Sequence, residues 1–105
     1  MQLTSYLENG ILTVALTGEI DHHCAKSYID VIALKIEAYM PHTCILDFEQ
    51  VNFMDSSGIA VIINAMRNMS KIQGELYVNA MPAQPMRVFV ASGISRLVKN
   101  WEAVL

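Results

Sequence analysis

The residues best suited to chemistry form the run Asp55, Ser56, Ser57 and Gly58. An aspartate or serine where a helix begins can cap it, because the side-chain oxygen accepts a backbone N–H two or three residues later. A serine there can also be a catalytic nucleophile. In a third interpretation it accepts a phosphate, which the unpaired N–H groups and positive dipole end of a helix N-terminus accommodate. The residue types alone leave capping and phosphorylation open.

A catalytic serine would need a turn that presents it and a base that activates it. The glycine–serine–glycine turn of the hydrolases is absent, since Met54 and Asp55 occupy the positions two before Ser56 and Ser57. None of the three histidines has a spacing that ties it to this run. We therefore expect a protein that is not an enzyme and has no catalytic residue.

A second polar cluster comprises Asp21, His22, His23 and Cys24. These side chains carry atoms that bind metals, but neighbours in sequence point in different directions around a helix, and the usual histidine pair at i and i+4 is missing. A capping aspartate beside two partly exposed imidazoles is the favoured interpretation, so we expect no metal and no cofactor. The other cysteine, Cys44, completes no paired motif, which indicates reduced thiols in the cytoplasm.

Composition limits the possible partners. The 105 residues are 53% hydrophobic and 16% charged with a formal charge of -3, which predicts one domain over residues 1–105. No basic cluster could neutralise the phosphates of a nucleic acid. The longest uncharged apolar stretch, Gly58–Met66, is about half the ~20 residues that a membrane span requires. A charged fraction below the usual ~25%, with seven methionines, favours exposed apolar surface that binds a protein partner.

The periodicity of apolar residues predicts the elements that position both clusters. Asn9 and Gly10 suit a tight turn between two strands, the second ending at Gly18, and a helix should then run from an Asp21 N-cap to Pro41. The remaining expected elements are a buried strand at 44–48, a helix from Ser56 to about Ile72, a strand at 75–80, a helix at 82–91, a short strand at 97–98 and a stub at 101–105. This order predicts an α/β fold with a mixed sheet.

Two segments together resemble the STAS domain of bacterial anti-sigma factor antagonists, most closely those of the sporulation type. They are Gly18–His23 (Gly-Glu-Ile-Asp-His-His) and Phe53–Gly58 (Phe-Met-Asp-Ser-Ser-Gly). The resemblance covers nearly the whole chain and implies a STAS fold. That fold has a mixed, mainly parallel β-sheet of four to five strands that opens with a β-hairpin and is covered by three to four helices.

The resemblance also implies a switch between proteins. The unphosphorylated domain would bind an anti-sigma factor that is also a serine kinase and release the sigma factor. The kinase would phosphorylate Ser56, and a metal-dependent serine phosphatase would reverse the modification. We expect partner contacts at Asp21, Met54, Asp55, Ser57, Gly58 and Val61. The alternative is a STAS scaffold or ligand-binding domain that is not phosphorylated and serves a lipid-transport or stress complex.

Overall fold

A computed structural model describes residues 2–103 of the chain. In chain order the elements are β1 (Gln2–Glu8), β2 (Ile11–Ile20), α1 (His22–Tyr39), β3 (Thr43–Met54), α2 (Ser56–Lys71), β4 (Glu75–Asn79), α3 (Ala83–Ala91) and β5 (Lys99–Asn100). Single 3-10 turns at Ile94–Arg96 and Trp101–Ala103 lie on either side of β5. Of the predicted stub at 101–105, the last two residues lie outside the described residues. Within the described range, no helix combines the length and the apolar character needed to cross a membrane.

The five strands form one sheet in the order of the chain, from β1 to β5. β1 and β2 are antiparallel, and each later strand pairs in parallel with the one before it. Asn9 and Gly10 join the hairpin with φ values of 54° and 78°, as a tight turn with two left-handed residues requires. The predicted mixed sheet that opens with a hairpin is confirmed.

The core lies between one face of this sheet and the helices. Along β2 the alternate side chains of Leu12, Val14 and Leu16 are fully buried, which is the two-residue period of a strand covered on one face. Tyr28 of α1 is also fully buried, and its hydroxyl donates a hydrogen bond to the Thr17 carbonyl oxygen at 2.9 Å. The phenol therefore adds apolar contact while its polar end is satisfied.

Three predicted strand boundaries are wrong. β2 does not end at Gly18 but continues to Ile20, and Gly18 takes a φ of 85° within a register shift against β3. β3 does not end at Phe48 but extends to Met54. The last strand is Lys99–Asn100 rather than 97–98. β2 and β3 extend because their ends pair with each other in parallel, up to Ile20 and Met54. This pairing cannot be read from either segment alone.

Candidate phosphoacceptor site

The site lies where β2 and β3 end side by side. Ile20 is the register partner of Met54, so the residues that follow, Asp21 and Asp55, leave the same edge of the sheet. The backbone N–H of Asp55 donates to the Ile20 carbonyl oxygen at 3.3 Å and joins the two chain segments directly. The carboxyl ends of parallel strands form the edge at which α/β proteins place their functional groups. The structure thus brings the two predicted polar clusters to one place.

Asp55 is the N-cap of α2, and its position determines how the two serines are presented. Its Oδ1 accepts a hydrogen bond from the Ser57 N–H at 2.7 Å, while its backbone is extended. Ser56 is the first residue of the helix and is exposed, whereas Ser57 is half-buried. A modifying enzyme can therefore approach Ser56 more easily than Ser57. Capping and modification are compatible, because they use different residues of the run.

Asp21 caps α1 in the same way. Its Oδ1 accepts from the His23 N–H at 2.9 Å. Desolvation raises the pKa of this carboxyl, but hydrogen bonds from the backbone N–H groups of His23 and Cys24 and the charge of His23 together leave the pKa below its ordinary value. Asp21 is therefore a carboxylate at neutral pH, and it presents a negative charge at the edge that holds Ser56.

The histidines and cysteines near Asp21 take structural or surface positions. His22 and His23 are exposed, and their rings lie with centroids 3.9 Å apart at a tilt of 37°. The Cys24 Sγ donates to the Glu19 carbonyl oxygen at 3.2 Å. Among the residues that the structure describes, no three His, Cys, Asp or Glu side chains are grouped to hold a metal ion.

His42 is the histidine that lies far from the serines. It immediately precedes β3, whose twelve residues separate it from Asp55. His42 thus lies at the amino end of β3, whereas the serines follow its carboxyl end at the opposite edge of the sheet. The His42 ring instead bonds to the Asn9 carbonyl oxygen at 3.0 Å and to the Thr43 hydroxyl at 2.8 Å. His42 therefore closes the hairpin and has no access to Ser56.

Met54 and Val61, two of the positions at which partner contacts are expected from the sequence, are buried in the structure. Their exposed fractions are 0% and 1%, so both belong to the core. Gly58 is buried too, and a Cβ atom there would lie 2.7 Å from the Met54 Sδ. These three residues pack the start of α2 against the end of β3. They position the serines, and their burial leaves little of these three residues open to a partner.

Phe53 is an exposed apolar residue that the sequence-based list of contacts omitted. Its side chain is 40% exposed, and its register partner at the end of β2 is Glu19. Its place one residue before Met54 is the signal that could have identified it, since alternation along β3 puts neighbouring side chains on opposite faces.

Gln84, at the start of α3, holds the end of β3 in place. β4 pairs with β3 only as far as Asp47 and Asn79, so within residues 2–103 no strand lies beside the second edge of β3 near Met54. There the Met54 N–H donates to the Gln84 Oε1 at 2.9 Å, and the Gln84 Nε2 donates to the Met54 carbonyl oxygen at 2.9 Å. The amide side chain takes the place of the missing strand and fixes α3 beside the serines.

Comparisons with known proteins agree with this architecture. The family model described as the STAS domain matches residues 2–104. The chain is 28% identical over 106 residues to an anti-sigma F factor antagonist of Paenibacillus polymyxa, which covers 97% of this chain and 87% of that relative. It superposes on the anti-sigma factor antagonist SpoIIAA in its unphosphorylated form with a TM-score of 0.82 and 25% identity, over 98% of this chain and 93% of that chain. Phosphorylated SpoIIAA of Bacillus gives a TM-score of 0.71 and 28% identity, over 98% and 96%.

Proposed function

The chain belongs to the STAS domain family, and from that premise we propose that it is an anti-sigma factor antagonist. Its unphosphorylated form binds an anti-sigma factor that is a serine kinase and so releases the sigma factor. The kinase ends the interaction by phosphorylating Ser56, and a metal-dependent serine phosphatase restores the binding form. Ser56 is in this scheme a substrate of other enzymes, and the chain itself catalyses no reaction.

The observation that carries the proposal is the position of Ser56. It is exposed at the first turn of α2, directly after the capping Asp55 and at the edge that also holds Asp21. Two similarities support the assignment, one to a curated anti-sigma F factor antagonist and one to a relative solved in a phosphorylated form. Exposure favours Ser56 over the half-buried Ser57 as the acceptor.

A phosphate on Ser56 is compatible with the folded chain. It adds about 1.5 to 2 negative charges at neutral pH. The N-terminus of a helix stabilises such a charge by up to ~2 kcal/mol, and α2 with its 16 residues supplies a full helix dipole. Repulsion from the neighbouring carboxylate of Asp55 is of similar size and is screened by water. We expect no large conformational change.

The same phosphate weakens the complex with the kinase. Once the edge around Ser56 is covered by a partner, the dianion loses its water, and burial of an unpaired charge costs several kcal/mol. A loss of 1.4 kcal/mol already weakens binding about tenfold. Charge at Ser56 is thus sufficient to end the interaction while the fold of the domain remains.

The test is incubation of the purified chain with the anti-sigma kinase of its own organism and ATP, followed by intact mass and peptide mapping. The expected result is one phosphate, located on Ser56 and lost in Ser56→Ala. Ser57→Ala is the matched control and should be phosphorylated. Phosphate on Ser57, or its retention in Ser56→Ala, would overturn the site. A chain that binds no such kinase and takes up no phosphate would favour the scaffold alternative.

A further inference from the structure

An open groove extends from Ser56 along α2 and α3 to the turn that follows α3. It has two halves, each with a volume of about 430 Å³. Ser56 lines the first half and Leu97 the second, while Ile59 and Ser92 line both and make them continuous. We call this surface the α2–α3 groove. The proposed phosphoacceptor is therefore one end of a longer surface.

The floor of the α2–α3 groove is apolar and partly open to solvent. Leu97 has 68% of its side chain exposed, which is the largest exposed fraction among the described large apolar residues. Ile63 lines the same half and is half-buried, and Ala91 lines the other half and is exposed. A partner that covers Leu97 and Ala91 would remove apolar surface from water, which favours binding.

The charged side chains that line the groove are all basic. Arg87 lines the half next to Ser56, and Arg96 lines the half that contains Leu97. None of the described lining residues is acidic, although the chain as a whole carries a formal charge of -3. The groove is thus a basic strip on an acidic protein, and charge complementarity selects a ligand of negative charge.

We propose that the α2–α3 groove binds an acidic segment of the anti-sigma factor that also carries an apolar side chain. The inference rests on the proposed function and extends it from one serine to a docking surface. Carboxylates of the segment pair with Arg87 and Arg96, and the apolar side chain covers Leu97 and Ile63. A phosphate on Ser56 enters the same groove, where it repels the acidic segment and competes with it for Arg87. Phosphorylation therefore weakens two sets of contacts with the partner, those around Ser56 and those of the acidic segment in the groove.

The test measures the affinity of the purified anti-sigma kinase for the intact chain and for the variants Arg87→Gln, Arg96→Gln and Leu97→Ser. Each variant should bind about tenfold more weakly or worse, since a charge-assisted contact or a buried leucine is lost. The affinity of the two arginine variants for the kinase should also depend less on salt concentration than that of the parent chain. All three should melt near the temperature of the parent chain, because the substituted side chains lie at the surface.

Arg67→Gln is the matched control, because Arg67 is exposed on α2 but does not line the groove. Equal weakening by Arg67→Gln would show a general charge effect and overturn the groove. If the parent chain binds and is phosphorylated while the three groove variants bind as well as the parent, the proposed binding of an acidic segment in the groove is wrong. The antagonist function then stands. If the parent chain neither binds nor accepts phosphate, both proposals fail. Self-association that Leu97→Ser abolishes would assign the groove to a second copy and overturn the proposal.

Discussion

Replacing Gln84 by alanine should destabilise the chain, although Gln84 is only half-buried and is not part of the hydrophobic core. The change removes two hydrogen bonds of 2.9 Å, one to the N–H and one to the carbonyl oxygen of Met54, and β4 does not extend far enough to replace them. At about 1 kcal/mol for each neutral hydrogen bond, Gln84→Ala should lower the free energy of unfolding by about 2 kcal/mol. Urea denaturation at pH 7 should show this as a lower midpoint concentration of urea, while the slope of the unfolding free energy against urea concentration stays unchanged.

Gln84→Glu tests the same pair of bonds by pH. One glutamate oxygen still accepts from the Met54 N–H, but the other meets the Met54 carbonyl oxygen and repels it when the side chain is ionised. Protonation restores a donor, so the folded state raises the pKa of this glutamate above its ordinary ~4.3. The folded state then binds the proton more tightly. The penalty is therefore absent below about pH 4.3 and grows as the pH rises through the folded-state pKa.

Gln50→Glu is the control for that experiment, because it adds the same charge to an exposed side chain on β3, the strand that contains Met54. The difference in unfolding free energy from the parent chain, measured at pH 4 and pH 7, should change strongly for Gln84→Glu and little for Gln50→Glu. Parental stability of Gln84→Ala at pH 7, or the same pH dependence in both glutamate variants, would refute the reasoning.

Three further predictions concern the edge around the serines and the two thiols. Asp21→Asn keeps a capping oxygen but removes the charge, so its melting temperature should stay near the parental value while its affinity for the kinase falls about ten- to a hundredfold; unchanged binding and phosphorylation would remove Asp21 from the interface. Gly58→Ala places a Cβ 2.7 Å from the Met54 Sδ. Overpacking of about 1–3 kcal/mol against a helix-propensity gain of about 1 kcal/mol should lower the unfolding free energy by up to about 2 kcal/mol, and a variant more stable than the parent in urea would contradict this packing. Burial raises the pKa of the Cys44 thiol to about 12, whereas Cys24 is half-buried, so a thiol reagent at pH 8 should label only Cys24 quickly in the native chain and both cysteines in urea; rapid native labelling of Cys44 would contradict its burial.

Local chemistry was sufficient to predict the starts of both helices at the site. Asp21 and Asp55 are strong N-caps, and each stands where the apolar period changes from two to about 3.6. Both caps, the hairpin turn at Asn9 and Gly10 and the order of elements along the chain are confirmed. These features depend on residues that are close in sequence, which is why the sequence alone reveals them.

Features that depend on distant partners could not be predicted. Gly18 resembles a strand end, but the parallel pairing with Val51 carries β2 past it. Val61 lies off the main apolar stripe of α2, yet the helix packs against both α1 and the sheet and so buries a broader face than the stripe indicates. Gln84 is an ordinary polar residue in the sequence, and only the position of Met54 in space gives it a role. The periodicity of apolar residues predicts which face of an element is buried, but the neighbouring elements determine how wide that buried face is.

The strand order has a consequence for the order in which the chain can be assembled. Each strand pairs with the strand that precedes it, so a chain that is synthesised from its N-terminus always adds a new strand to one already present. Among the described strands, none pairs with a strand from the far end of the sequence, so each can pair soon after it is synthesised. The edge with Asp21 and Asp55 is complete once α2 has formed, whereas Gln84 and Arg87 arrive only with α3. The proposed phosphoacceptor therefore takes its place before α3, the helix that forms the other wall of the groove.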